Sequence, residues 1–162
     1  MEIMGGGKVH YNKEIKTIIK LTKEDGDVIN ITNDKDVKYI NDILDDRYVN
    51  KLEIFSGVEK YNFSYESCKN WYNLTTIVIH EGVTFFPFNF YFDGYYASIL
   101  ERLVIYGKDT YLFYHGNVSY LYTNLVNYLN IYVDKSNVAE LNKYRYNNNL
   151  NYTVYSLEEY HE

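Results

Sequence analysis

The apolar positions of this chain return four times in one pattern: apolar, two residues, apolar, one residue, apolar. The copies are Val49-x-x-Leu52-x-Ile54, Leu74-x-x-Ile77-x-Ile79, Leu100-x-x-Leu103-x-Ile105 and Tyr128-x-x-Ile131-x-Val133. Their starts are 25 (49 to 74), 26 (74 to 100) and 28 (100 to 128) residues apart. A near-fixed period in this range is the signature of a solenoid, in which each repeat buries its apolar face only by stacking on the next. Each copy predicts a short strand whose alternate residues point inward: Leu52 and Ile54, Ile77 and Ile79, Leu103 and Ile105, Ile131 and Val133. Strands one repeat apart are expected to pair in parallel. Such a chain favours an open binding surface over a closed catalytic pocket.

The flanks do not follow the period. Residues 16–32 read as a β-hairpin, because two β-branched runs, Ile18-Ile19-x-Leu21 and Val28-Ile29-x-Ile31, enclose an Asp25-Gly26 turn. A helix follows, capped by Asn33 or Asp34, with Val37, Ile40, Ile43 and Leu44 on one face. It is expected to stop near Asp45-Asp46-Arg47. Hairpin and helix together suit a terminal cap, since the first repeat needs its open end covered. After residue 136 the chain changes again. Val138-Ala139-Glu140-Leu141 predicts a helical turn, Asn147-Asn148-Asn149 a turn, and Tyr152-Thr153-Val154-Tyr155 a last strand before an acidic end. The expected organisation is one domain: cap over 1–48, solenoid over 49–135, closing cap over 136–162. The fold class is a repeat solenoid, α/β but mostly β. Between strands, the run Phe85-Phe86-Pro87-Phe88-Asn89-Phe90-Tyr91-Phe92 is too aromatic for a solvent loop and reads as the back wall of a coil. Gly5-Gly6-Gly7-Lys8 lacks both the preceding strand and the Lys-Ser/Thr ending of a phosphate loop, and reads as a loose start.

Composition narrows the function. Among 162 residues there are 16 Lys and Arg against 22 Asp and Glu, a net charge of −6. A surplus of acid argues against direct binding of nucleic acid, whose phosphates need cations. Tyr supplies 21 residues, and the bias to Tyr, Asn, Ile and Lys is what an A/T-rich genome also gives. A single cysteine, Cys68, excludes an intramolecular disulfide. No apolar leader or membrane-spanning run is seen, so a cytoplasmic protein is expected.

Residues 74–84, Leu-Thr-Thr-Ile-Val-Ile-His-Glu-Gly-Val-Thr, and Tyr65-Glu-Ser-Cys68 resemble the strand-and-turn and the Phe-x-x-Cys segments of BspA-type leucine-rich repeats. The stretch from Asn130 through a short helix to a strand resembles that family's closing segment. The resemblance covers about residues 49–157 and implies a right-handed coil with parallel strands. It also implies adhesion, recognition or interaction rather than a catalytic residue set, and makes Cys68 a buried packing residue. The repeats here are longer and less regular, and the family's Ala-Phe pair is replaced by Phe and Tyr clusters.

The outward positions of the strands form three rows: Lys51, Thr76, Arg102, Asn130; then Glu53, Val78, Val104, Tyr132; then Phe55, His80, Tyr106, Asp134. For a solvated face they are unusually apolar and aromatic, and aromatic patches with a polar rim mark protein interfaces. The expected protein-binding centre is Phe55, Val78, His80, Val104, Tyr106 and Tyr132, with Lys51, Glu53, Arg102 and Asp134 as rim. Arg102 offers the most directional contact, through its planar guanidinium. The competing reading is that another element, such as the hairpin, covers this face. The histidines and acids (His80, Glu81, Asp93, Asp109, His115) show no metal or nucleophile spacing, so no enzyme, no metal and no cofactor are expected. The function expected is a protein-binding module. Its sharper form is a phage- or mobile-element-borne inhibitor of a host or defence protein of the CRISPR type; its acidic surface could imitate nucleic-acid phosphates. The alternatives are an adhesion or scaffold module, and a small-molecule or carbohydrate binder with an aromatic cleft. An open sheet edge also suits a homodimer.

Overall fold

The computed structural model describes residues 15–44, 48–58, 63–64, 73–84, 88–89, 100–110, 129–148 and 152–162. The glycine-rich start, Cys68, Pro87, Asp93, His115 and most of the aromatic run 85–92 lie outside the described residues.

The described residues are mostly β. Strands β1 (Ile19–Lys23), β2 (Val28–Ile31), β3 (Val49–Ile54), β5 (Thr76–Ile79), β7 (Arg102–Ile105), β8 (Leu129–Val133) and β9 (Tyr152–Ser156) form one mixed sheet. Its order is β2-β1-β3-β5-β7-β8-β9. Strands β4 (Phe63–Ser64) and β6 (Phe88–Asn89) form a separate parallel pair.

The β-branched runs at the start make the expected hairpin. The turn closes with Lys23 N–H donating to Asp27 O and Gly26 N–H to Lys23 O, at 2.8 and 2.9 Å. The hairpin does not lie over the strand face. It extends the sheet at its edge, with β1 antiparallel to β3 and Leu21 opposite Leu52. After β2 the Asn33 side chain accepts the Lys35 N–H at 3.0 Å and starts a 3-10 helix, Asp34–Tyr39, that passes into the helix α1 (Ile40–Leu44). Val37 and Ile40 of this unit are buried in the core.

From β3 to β9 every neighbouring pair is parallel. The register joins Leu52, Ile77, Leu103, Ile131 and Val154 into one inward row, with Leu21 of β1 at its antiparallel end. A second inward row runs Ile19, Ile54, Ile79, Ile105. All of these side chains are buried in one apolar cluster. Burial of this kind, at roughly 25 cal/mol per Å² of apolar surface, is the main favourable contribution to the sheet's stability. Where β3 and β5 end, the chain turns through Gly57 and Gly82, both left-handed at φ +112° and +88°. A side chain at either position would also press on a neighbour.

The helix after β8 is longer than the expected turn: α2 spans Lys135–Asn148. It is polar for most of its length and docks through Leu141, which is buried, and through Val138 and Tyr144, which pack partly buried against the core. Tyr152 at the start of β9 is fully buried beneath it and donates from its hydroxyl to the Leu141 carbonyl at 2.8 Å. Burial pushes the Tyr152 phenol well above its ordinary value, so it stays a neutral donor. Among the described residues no helix is long and apolar enough to cross a membrane.

Candidate interface on the outer strand face

The period of two sends Lys51, Glu53, Thr76, Val78, Arg102, Val104, Asn130 and Tyr132 to the face opposite the core. Their register aligns Lys51, Thr76, Arg102 and Asn130 in one row, and Glu53, Val78, Val104 and Tyr132 in the next. The second row extends to Lys20 at one end and Tyr155 at the other.

The third row lies just beyond the strand ends. Phe55 N–H donates to Ile18 O at 2.9 Å, and His80 N–H to Ile54 O and Tyr106 N–H to Ile79 O at 2.8 Å each, so the ladder continues one residue past each strand. That holds the three rings in register. The His80 ring stacks on Phe55 with centroids 4.1 Å apart and planes 4° from parallel, and on Tyr106 at 5.4 Å and 17°. All three are half-buried. These are three of the residues expected at the interface, and the structure brings them together as a continuous ladder of rings.

Beside the ladder lies a charged knot. Glu53 is only 8 % exposed. Its Oε1 is 2.9 Å from His80 Nε2, and its Oε2 is 3.8 Å from Lys20 Nζ and 3.9 Å from Lys51 Nζ. The His80 hydrogen bond holds the Glu53 carboxyl below the usual carboxylate range; burial opposes it, and the Lys51 and Lys20 charges add to it. An ionised carboxylate only accepts, so His80 Nε2–H is the donor. Glu53 is therefore not a rim residue but a buried anchor. For Lys51, burial acts to lower its pKa and is outweighed by the Glu162 hydrogen bond and by the Glu53 and Glu162 charges, so the net shift is upward.

Besides Glu53, three further expectations are corrected. Val78 and Val104 are not an exposed centre: they are 2 % and 0 % exposed, yet neither belongs to the inner cluster. Residues 157–162 turn back over this face. The Glu159 carboxylate accepts the Ser156 N–H at 2.9 Å, the reaching-back half of a capping box, and ends β9 in a 3-10 turn, Leu157–Glu159. Tyr160 then lies against Tyr132 with ring centroids 5.0 Å apart, while Tyr132 also stacks on Tyr155 at 5.2 Å. Glu162 pairs with Lys51. Tyr132 is thus occupied by aromatic neighbours of its own chain. Asp134 is the third correction. Its carboxylate accepts the Ser136 N–H at 3.0 Å and the Ser136 hydroxyl, and these bonds hold it below the usual carboxylate range. It caps α2 rather than extending the aromatic row.

Arg102 stays half exposed. Its Nε donates to Thr76 Oγ1 at 3.1 Å and its Nη1 is 3.7 Å from Glu101 Oε1. A cleft of about 260 Å³ opens here, lined by Lys51, Thr76, Arg102, Tyr160, His161 and Glu162 among others. Burial, reinforced by the Glu162 charge, raises the phenols of both Tyr106 and Tyr160. The residues that sequence reasoning missed are Lys20, Tyr160, His161 and Glu162. The signal present was the Ser156-x-x-Glu159 spacing, which forecasts a helical turn there. Among the described residues no group of three His, Cys, Asp or Glu side chains is arranged to hold a metal ion.

The chain matches no protein-family model, no curated protein and no solved structure.

Proposed function

We propose that this chain is a short leucine-rich-repeat coil that works by binding another protein through the outer edge of its parallel strands. The coil reading is supported by spacing. Paired strand positions are 25 (51 to 76), 26 (76 to 102), 28 (102 to 130) and 23 (130 to 153) residues apart. The separate pair β4 and β6 has the same offset as the first, 25 (63 to 88). Equivalent turns carry Gly57-Val58 and Gly82-Val83, with both valines buried.

The binding reading rests on one observation: Phe55, His80 and Tyr106 stack as a half-buried ladder along one lip of the sheet, braced by Glu53. Rings fixed before binding lose little conformational freedom on contact, which is what an interface anchor requires. The Lys51 and Arg102 charges stand on the same strands, four residues before Phe55 and Tyr106, and serve as the polar rim of this face.

The test is capture of a partner by the tagged full chain, beside a Phe55→Ala/Tyr106→Ala variant whose unfolding midpoint is measured in parallel. Removal of two interface anchors is expected to weaken binding by about 2 kcal/mol or more. A partner held with equal affinity by the folded variant would rule the ladder out as the interface.

A further inference from the structure

The cleft at the other end of these strands from the ladder already holds a carboxylate, and that carboxylate belongs to the chain itself. We propose, resting on the protein-binding reading above, that this cleft is a receptor site for an acidic, tyrosine-bearing peptide segment of a partner, and that Tyr160 and Glu162 occupy it in the isolated chain.

Charge and register support this assignment. Lys51, Thr76 and Arg102 are paired positions on three successive parallel strands. The outer two are therefore separated by about 10 Å, two inter-strand spacings. Between these two cations Thr76 contributes a hydroxyl that Arg102 Nε already orients. The planar Arg102 guanidinium, whose side chain is 40 % exposed, presents the fork that pairs with a carboxylate. Lys51 meets Glu162 on one side and Glu53 on the other. Glu53 is buried and fixed, whereas the Glu162 side chain is 66 % exposed, so Glu162 is the partner that can leave.

The occupant is lightly held. No residue of the turn Leu157–Glu159 is buried, and Tyr160 is only half-buried. Among the described residues its contacts include an aromatic one to Tyr132 and an ion pair whose Glu162 side is largely exposed, a type of contact that contributes little by itself. What keeps it in place is connectivity, because a tethered segment acts at a millimolar effective concentration. A peptide of the same chemistry presented on a partner's surface can replace it when further contacts at the ladder add to its own.

The probe is the capped hexapeptide Leu-Glu-Glu-Tyr-His-Glu, the sequence of residues 157–162, titrated into isotope-labelled full chain and followed by amide shifts. With wild type the tethered segment competes. With Glu162→Gln, and with Tyr160→Ala/Glu162→Gln, the peptide is expected to bind about tenfold more tightly than to wild type, shifting Lys51, Thr76 and Arg102. Adding Lys51→Gln and Arg102→Gln is expected to abolish the shifts, as is a peptide with Gln in place of each Glu. Equal affinity for wild type and both variants, indifference to the Gln peptide, or the same shifts with inorganic phosphate alone would overturn the proposal. If the peptide fails while Phe55→Ala/Tyr106→Ala still loses the partner, only the cleft assignment falls. If the peptide binds but those ladder changes leave the partner bound, the ladder reading falls.

Discussion

Glu53 Oε1 and His80 Nε2 lie 2.9 Å apart, although 27 residues separate them in sequence. The bond is a consequence of parallel register: Glu53 is opposite Val78, so the residue two further along, His80, leans back over it. The same bond fixes the plane of the imidazole between Phe55 and Tyr106. A buried carboxylate thus sets the geometry of an aromatic row.

The pair gives a pH dependence of known sign. Glu53 is held below the usual carboxylate range in the folded chain, first by His80 and then, against burial, by Lys51 and Lys20. A group whose folded pKa is depressed contributes stability that is present above its unfolded value and lost as pH falls through the folded one. Glu53→Gln is expected to cost about 1–2 kcal/mol near neutral pH, a charged hydrogen bond discounted for its half-exposed partners. The difference between wild type and variant is expected to shrink as pH drops below about 4.3, the ordinary Glu value. Urea unfolding of both proteins across that range checks it. A gap that stays constant with pH would show that the charge of Glu53 contributes nothing.

The turns after β3 and β5 supply a backbone test. Gly57 and Gly82 follow Ile54 and Ile79 at the same offset and share a left-handed conformation. A Cβ built on Gly82 would meet Ser56 Cβ at 3.0 Å, and one on Gly57 would meet Ile18 Cγ2 at 2.9 Å. Gly82→Ala and Gly57→Ala are each expected to destabilise by about 1–3 kcal/mol, combining the left-handed penalty with the contact. Thermal unfolding is the measurement, and a melting temperature unchanged in both variants would contradict the turn geometry.

The strands and the Asp25-Gly26 hairpin turn were legible in the sequence because each depends on local chemistry. Alternation selects the inward residues, and the recurrence of the pattern selects which strands pair, so Leu52, Ile77, Leu103 and Ile131 fall opposite one another as expected. Asn33 was legible as a cap for the same local reason. The helix α2 was foreseen only as a turn at 138–141. Its apolar residues, Val138, Leu141 and Tyr144, come once per turn amid Asn and Lys, too thin a stripe to stand out. Asn147 and Asn148, read as a turn, complete that helix. The cover over the outer face was the least legible feature. Its contacts, such as Lys51 with Glu162, join residues 111 apart, and no periodicity encodes a pairing between one cation and one acid at that distance.

The covered valines separate an open face from a closed one. On a bare strand face a valine is half solvated and its truncation is nearly neutral; Val104, at 0 % exposure outside the inner cluster, is in the other situation. Val104→Ala is expected to cost about 1.5–3 kcal/mol, the range for a fully buried aliphatic side chain. If residues 157–162 provide the cover, Tyr160→Ala removes part of what Val104 packs beneath, and the two losses overlap. The double variant is then expected to be less destabilised than the sum of the singles by about 0.5 kcal/mol or more. Denaturation midpoints of the four proteins in the cycle measure this directly. A near-neutral Val104→Ala would mean that the face is open in solution. A large but strictly additive effect would mean that an element other than the Tyr160 segment lies over Val104.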